Sequence, residues 1–207
     1  RHPRSTAERL HRRFIYALFP NVGVLRVLRP LLRLYQRSGL QSIVRRLLPA
    51  RLATMDALLP PLGEHHEIPE VTPAQGEKRA RVGLQLGCVQ REFLSQINAA
   101  TVRVLAAEGC EVVAPRTQGC CGALQIHAGD EAPALDHARR MIDTFEQAEV
   151  DFIITNAGGC GSNVREYGHQ LRDDPRYAER ARRFSAKCRD ISEFLAELGP
   201  RALRHPV

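Results

Sequence analysis

From Arg81 onward the sequence alternates short apolar runs with longer segments whose apolar residues recur at helical spacing. Val82-Gly83-Leu84-Gln85-Leu86, Glu111-Val112-Val113-Ala114 and Phe152-Ile153-Ile154-Thr155 read as buried strands. Between them, 95–108 places Ile97, Ala100, Val104 and Leu105 on one helical face, and 134–147 is a second helix. Further helices are expected near 163–171, 175–184 and 190–198. Strand–helix–strand units of this length imply an α/β fold, a small parallel sheet with flanking helices in Rossmann-like βαβ units.

That frame places the cysteines. Cys88 and Cys160 directly follow strands, and Cys120-Cys121 lie in the loop beyond the second strand. Ligands of open parallel sheets gather outside the carboxyl ends of the strands, so three distant segments should converge on one edge. Glycine flanks every one of these cysteines, at Gly87, Gly119, Gly122, Gly159 and Gly161. Thiolates around a metal group need unusual backbone turns and close approach of N–H groups to sulfur, which glycine permits. The competing view is that glycine turns simply follow strands and the cysteines are small buried residues. Six cysteines also allow a disulfide framework, but the length of the chain and the vicinal Cys120-Cys121 pair favour reduced thiols in a cytosolic compartment. Of the other two, Cys110 is expected to be a small buried residue. Cys188, between Lys187 and Arg189, is expected to be structural, although flanking cations could activate a thiol.

Residues 1–62 differ in character. They hold twelve arginines and no lysine against Glu8 and Asp56, so the net charge of +7 resides entirely here and the remainder is mildly acidic. Ser5 and Glu8 form a capping-box pattern, after which Leu10, Phe14, Ile15 and Leu18 recur until Pro20. A second helix from Val22 to about Arg37 is expected to be kinked or divided by Pro30, with Leu25, Leu28, Leu32 and Tyr35 on one face. Two more are expected over 41–48 and 51–59. Residues 63–80 lack periodicity and read as a linker, leaving 81–200 as the cysteine-bearing domain. The arm's basic polar face and apolar opposite face suit docking against another subunit or an anionic membrane surface. No recognition motif accompanies the charge, so nucleic acid is not an expected partner. No run of 18 apolar residues, no secretory signal, no catalytic triad and no phosphate-cradling loop is present. The start at Arg1 and the close at Arg204-His205-Pro206-Val207 suggest a piece cut from something longer.

Several segments together carry a resemblance. These are Leu86-Gly87-Cys88-Val89-Gln90, the stretch Asn98–Leu105, Gly119-Cys120-Cys121-Gly122-Ala123-Leu124, and Gly158-Gly159-Cys160-Gly161 with Glu166-Tyr167-Gly168. They resemble the first cysteine-rich CCG domain of the glycolate oxidase iron–sulfur subunit, related to the B subunit of heterodisulfide reductase, and the Arg-rich arm resembles the connector preceding it. The resemblance implies an electron-transfer subunit whose Cys88, Cys120, Cys121 and Cys160 bind an iron–sulfur cluster of the 4Fe-4S type. It implies flavin-containing oxidase subunits as partners, with FAD carried there and not on this chain. Glycolate would be oxidised to glyoxylate and electrons passed towards a quinone. The implied location is cytoplasmic, peripheral on the inner face of the plasma membrane. No C-x-x-C-x-x-C-x-x-x-C-P run and no second CCG domain is present. Ala157 stands where related domains often carry a further cysteine, which favours four ligands over five. A zinc-bound or metal-free docking domain of a related 2-hydroxy acid or glycerol-3-phosphate complex is the alternative. His127, six residues after Cys121, is a further candidate ligand or proton relay; Glu166 and Tyr167 are candidates to pack beside the site; His65-His66 carry no expected role.

Overall fold

The structure, a computed structural model, describes residues 5–201; the expected chain end at 204–207 lies outside the described residues. Four helices come first: α1 (Thr6–Leu18), α2 (Val22–Arg37), α3 (Leu40–Leu47) and α4 (Ala50–Ala57). The capping box forms as the sequence predicts, Glu8 N–H donating to Ser5 Oγ at 3.3 Å and Ser5 N–H to a Glu8 carboxylate oxygen at 2.8 Å. Pro30 does not divide α2. Tertiary anchoring of the preceding turns explains this, because Leu25 is buried and Arg29 Nη2 donates to the Gly63 carbonyl at 2.8 Å. Those contacts offset the hydrogen bond that proline removes. Outward from α1 and α2 stand Leu10, Phe14, Val27, Leu31 and Leu34, all exposed. No single described helix is long and apolar enough to cross a membrane.

The stretch read as a linker contributes β1 (Val71–Thr72), which pairs antiparallel with β3. Two residues are too few for any periodic signal, and the pairing partner supplies the order. The remaining elements are β2 (Ala80–Leu84), α5 (Cys88–Phe93), α6 (Ser95–Ala107), β3 (Cys110–Val113), α7 (Ala123–His127), α8 (Glu131–Gln147), β4 (Phe152–Thr155), α9 (Gly158–Arg165), α10 (Tyr167–Gln170), α11 (Ala178–Lys187), β5 (Cys188–Asp190) and α12 (Ile191–Leu198). The sheet order is β1-β3-β2-β4-β5, with β3, β2, β4 and β5 mutually parallel. Strand β5, which the sequence places ahead of a helix without structure of its own, completes the edge.

Both sheet faces are covered, as parallel sheets require. Leu84, Leu105, Val112 and Phe194 pack on one side. Met141, Ile142, Phe145, Tyr167 and Phe184 pack on the other. The chain leaves β2 for β3 on one side and later reaches β4 on the other, so the order reverses at β2. The loops after β2 and β4 therefore flank a crevice at the carboxyl ends of the strands.

Candidate metal centre

Three connections deliver the cysteines to that crevice. After β2 the chain runs through Gln85, Leu86 and Gly87 to Cys88 at the start of α5. After β3 a loop leads to Cys120 and Cys121, immediately before α7. After β4, Cys160 sits in the first turn of α9, where the sequence suggests a turn outside the helix. Cys88 and Cys120 Sγ are 3.6 Å apart across 31 intervening residues. Cys121 interacts with the thiols of both Cys120 and Cys160. Cys120 and Cys121 are buried, and Cys88 and Cys160 partly so.

Crowding sorts the four thiols electrostatically. Contact with Cys120 and then burial push the Cys88 thiol up; contacts with Cys120 and Cys160 and then burial do the same to Cys121. Cys120 is held well below the ordinary thiol range by hydrogen bonds from Cys121 and Cys88, against its own burial and helped by the Gly122 N–H. Contact with Cys121 lowers Cys160. Cys120 and Cys160 are thus shifted towards the thiolate, the form that binds metals.

The surrounding framework is polar and paired. Gln118 bridges the end of β2, accepting from Leu86 N–H at 2.8 Å and donating to the Leu84 carbonyl at 3.1 Å. The Cys121 carbonyl accepts from Tyr167 Oη at 2.6 Å and Asn163 Nδ2 at 2.7 Å. Gln90, Asn98, Asn156 and Thr101 interlock, tying the loops after β2 and β4 to α6. Gln125 Oε1 lacks a partner, and Gln85 stands out further. It is buried, yet neither its amide nitrogen nor its oxygen has a hydrogen-bond partner. It lies against Cys160 and favours the thiolate there without meeting hydrogen-bond geometry. Unsatisfied buried amides are rare and call for an explanation.

Four soft sulfur donors, the Gly122 N–H 3.4 Å from Cys120 Sγ and an orphaned buried amide fit a cysteine-bound metal–sulfur group. As placed, no three His, Cys, Asp or Glu side chains among the described residues could hold a single metal ion. Glycine is required at Gly122, where φ is +83° and a Cβ would lie 2.9 Å from the Ala134 carbonyl oxygen. By contrast, Gly119 and Gly159 have nothing within 4 Å of a Cβ, so the rule of glycine beside every cysteine has no steric basis there.

The other candidates separate cleanly. His127 ends α7 with its side chain exposed. The histidine near the site is instead His137 on α8, which no sequence pattern singles out. Burial lowers its pKa, the Cys120 charge opposes that, and Gln125 Nε2 lies 3.3 Å from its ring. Cys110 is fully buried. Burial pushes the Cys188 thiol up to about 12 despite Arg165 and Arg189, and its Sγ donates to the Phe184 carbonyl at 3.3 Å, so the flanking cations do not activate it. Glu166 is exposed, whereas Tyr167 is fully buried. His65 Nε2 stands 3.7 Å from the buried Glu92 carboxylate.

Comparison with known proteins matches both parts of the chain. Residues 82–165 match the family model of the cysteine-rich CCG domain, and residues 7–59 match that of the glycolate oxidase iron–sulfur subunit linker region. The chain is 40% identical over 203 residues to a probable glycolate oxidase iron–sulfur subunit of Bacillus subtilis strain 168, covering 94% of this chain and 46% of that protein. It is 35% identical over 118 residues to lactate utilization protein A of Bacillus thuringiensis strain Al Hakam, covering 57% of this chain and 48% of the relative. The chain thus spans about half the length of the curated relatives it matches. No solved structure matches it significantly. An arm that matches the linker model, a sheet domain that matches the CCG model and a thiol cluster at the strand ends together make the chain similar to glycolate oxidase iron–sulfur subunits along both of its parts.

Proposed function

We propose that this chain is an electron-transfer component of a glycolate oxidase complex, with Cys88, Cys120, Cys121 and Cys160 ligating a 4Fe-4S cluster. The observation that carries this reading is the meeting of four thiols from three loops, with a buried Gln85 amide left unpaired against Cys160. When bound, such a cluster accepts and releases single electrons. The chain's own residues hold the site. Gln118 and Asn98 fix the turn before Cys88, since Asn98 Nδ2 donates to the Leu86 carbonyl at 3.0 Å. Tyr167 and Asn163 fix the Cys121 backbone, and the Gly122 N–H offsets negative charge on Cys120.

In this reading, FAD-containing partner subunits oxidise glycolate to glyoxylate and electrons leave towards a membrane quinone. The arm supports subunit docking, because Leu10, Phe14, Val27, Leu31 and Leu34 expose apolar surface among arginines. An anionic membrane surface on the cytoplasmic side is the other surface that this chemistry suits. The similarity to lactate utilization protein A keeps lactate as the second substrate. Iron, zinc and acid-labile sulfide analysis of anaerobically purified protein tests the reading. Iron with matching sulfide supports it; zinc, or no metal, overturns it in favour of a docking domain.

A further inference from the structure

Between the arm and the carboxyl edge of the sheet lie two cavities of about 580 and 590 Å³ that share Arg26, Arg91 and Arg116 in their walls. The first is closed further by Arg29. Its apolar wall is made by Pro30, Ile68, Leu86 and Ala114. Two acids, Glu67 and Glu92, also line it. Glu92 is engaged by Arg26 at 3.4 Å and His65 at 3.7 Å. Arg116 lies 3.8 Å from the exposed Glu70. The cationic groups outnumber the carboxylates that could answer them.

Two of these arginines are incompletely satisfied. Arg29 is 9% exposed; its Nη2 reaches the Gly63 carbonyl, but its buried Nε has no partner. The Arg91 guanidinium makes no hydrogen bond or ion pair with any described residue, and its Nε is also buried and unpartnered. Burial lowers the Arg91 pKa, with Glu92 opposing. Enclosing a guanidinium N–H without a partner is costly, and the guanidinium fork is matched by an oxyanion with two coplanar oxygens. The apolar wall suits a short carbon skeleton better than a bare inorganic ion, and the volume is that of a small-molecule site.

We propose that this cleft binds a small organic acid anion, its carboxylate received by Arg29, Arg91 and Arg116 beside the cysteine cluster. Arg91 lies one helical turn beyond Cys88 on α5, and the second cavity reaches Gly119 and His137 next to Cys120. A bound carboxylate would therefore add negative charge close to the thiols. The site does not depend on the iron–sulfur reading, because none of its contacts needs a cluster.

Isothermal titration of the full chain with acetate, oxalate and inorganic phosphate at low salt tests this, with iron measured in the same samples. The expected result is one carboxylate per chain, weakened about tenfold or more in Arg91→Gln and Arg116→Gln. Arg91→Lys should restore only part of the affinity, since lysine keeps the charge but not the fork. Arg116 is exposed, so its variant carries the test if Arg91→Gln does not fold. No carboxylate binding, binding unchanged in the variants, or phosphate bound more tightly than either carboxylate overturns the proposal. So does loss of a co-purified acidic protein segment from the variants without any carboxylate binding, which would make the cleft a docking site.

Discussion

Tyr167 Oη donates a 2.6 Å hydrogen bond to the backbone carbonyl of Cys121, joining a fully buried ring on α10 to the residue at the centre of the thiol cluster. The ring itself stacks on Phe184 with centroids 5.4 Å apart. One side chain thus couples the core behind the sheet to the loop in front of it. Tyr167→Phe keeps the ring and removes the donor. Asn163 still serves the same carbonyl, so the loss should be about 1 kcal/mol, the low end for a broken buried hydrogen bond. Urea unfolding measures it. A loss near zero would show that Asn163 alone holds the loop.

Cys120→Ser should abolish iron and sulfide binding, while Cys110→Ala and Cys188→Ala should retain both. The distinction rests on position: Cys110 and Cys188 start strands, at the opposite ends from the crevice. Iron and sulfide content of the three anaerobically purified variants decides it. Equal losses in all three would mean that folding, not ligation, is being read.

Gln85→Leu separates packing from chemistry. Two unpaired amide atoms disappear into an apolar environment, so the metal-free protein should be no less stable than the parent. In the loaded protein, a lost N–H donor to sulfur disfavours the more negative reduced state, so the midpoint potential should fall. A redox titration followed by electron paramagnetic resonance reads the shift. An unchanged potential would remove Gln85 from the site.

Gly122→Ala should destabilise the protein by about 1–2 kcal/mol from the left-handed backbone alone, with more from the close approach to Ala134. Gly159→Ala, which meets nothing within 4 Å, should be far milder in the metal-free protein. Thermal unfolding of the pair gives the comparison.

Cys188 predicts an alkaline dependence. Its folded pKa, about 12, lies above its ordinary value of 9.0 because the thiolate is disfavoured by burial. The unfolded chain releases that proton first, so this contribution is complete below pH 9, declines above it and is gone past about 12. Cys188→Ala should flatten the fall in stability above pH 9, measured by urea unfolding across pH. An identical slope in both proteins would place the titration elsewhere.

Much of this arrangement was legible in the chain itself. Leu84, Val112 and Ile154 lie in short apolar runs separated by helix-length segments, and local pattern alone predicts parallel strands with cysteines beyond two of their ends. Other parts carry no local mark. Strand β1 has two residues and β5 three, too short for periodicity to speak. His127 and His137 are alike in sequence; only the packing of α8 against the Cys120 loop brings one near the thiols and leaves the other exposed. Pro30 sits inside an unbroken α2 because distant contacts anchor that helix.

The sequence by itself determined the fold class, the capped basic helices of the arm and the four cysteines worth watching. These follow from periodicity, capping chemistry and residue type, which act over a few neighbouring positions. Only the tertiary structure decided that Cys88 meets Cys120, that the Gln85 amide and the Arg91 Nε are enclosed without partners, and that the arm closes a cationic cleft over the strand ends. Such facts depend on which surfaces face each other across tens of residues, and burial, hydrogen-bond satisfaction and field are properties of that juxtaposition rather than of any segment.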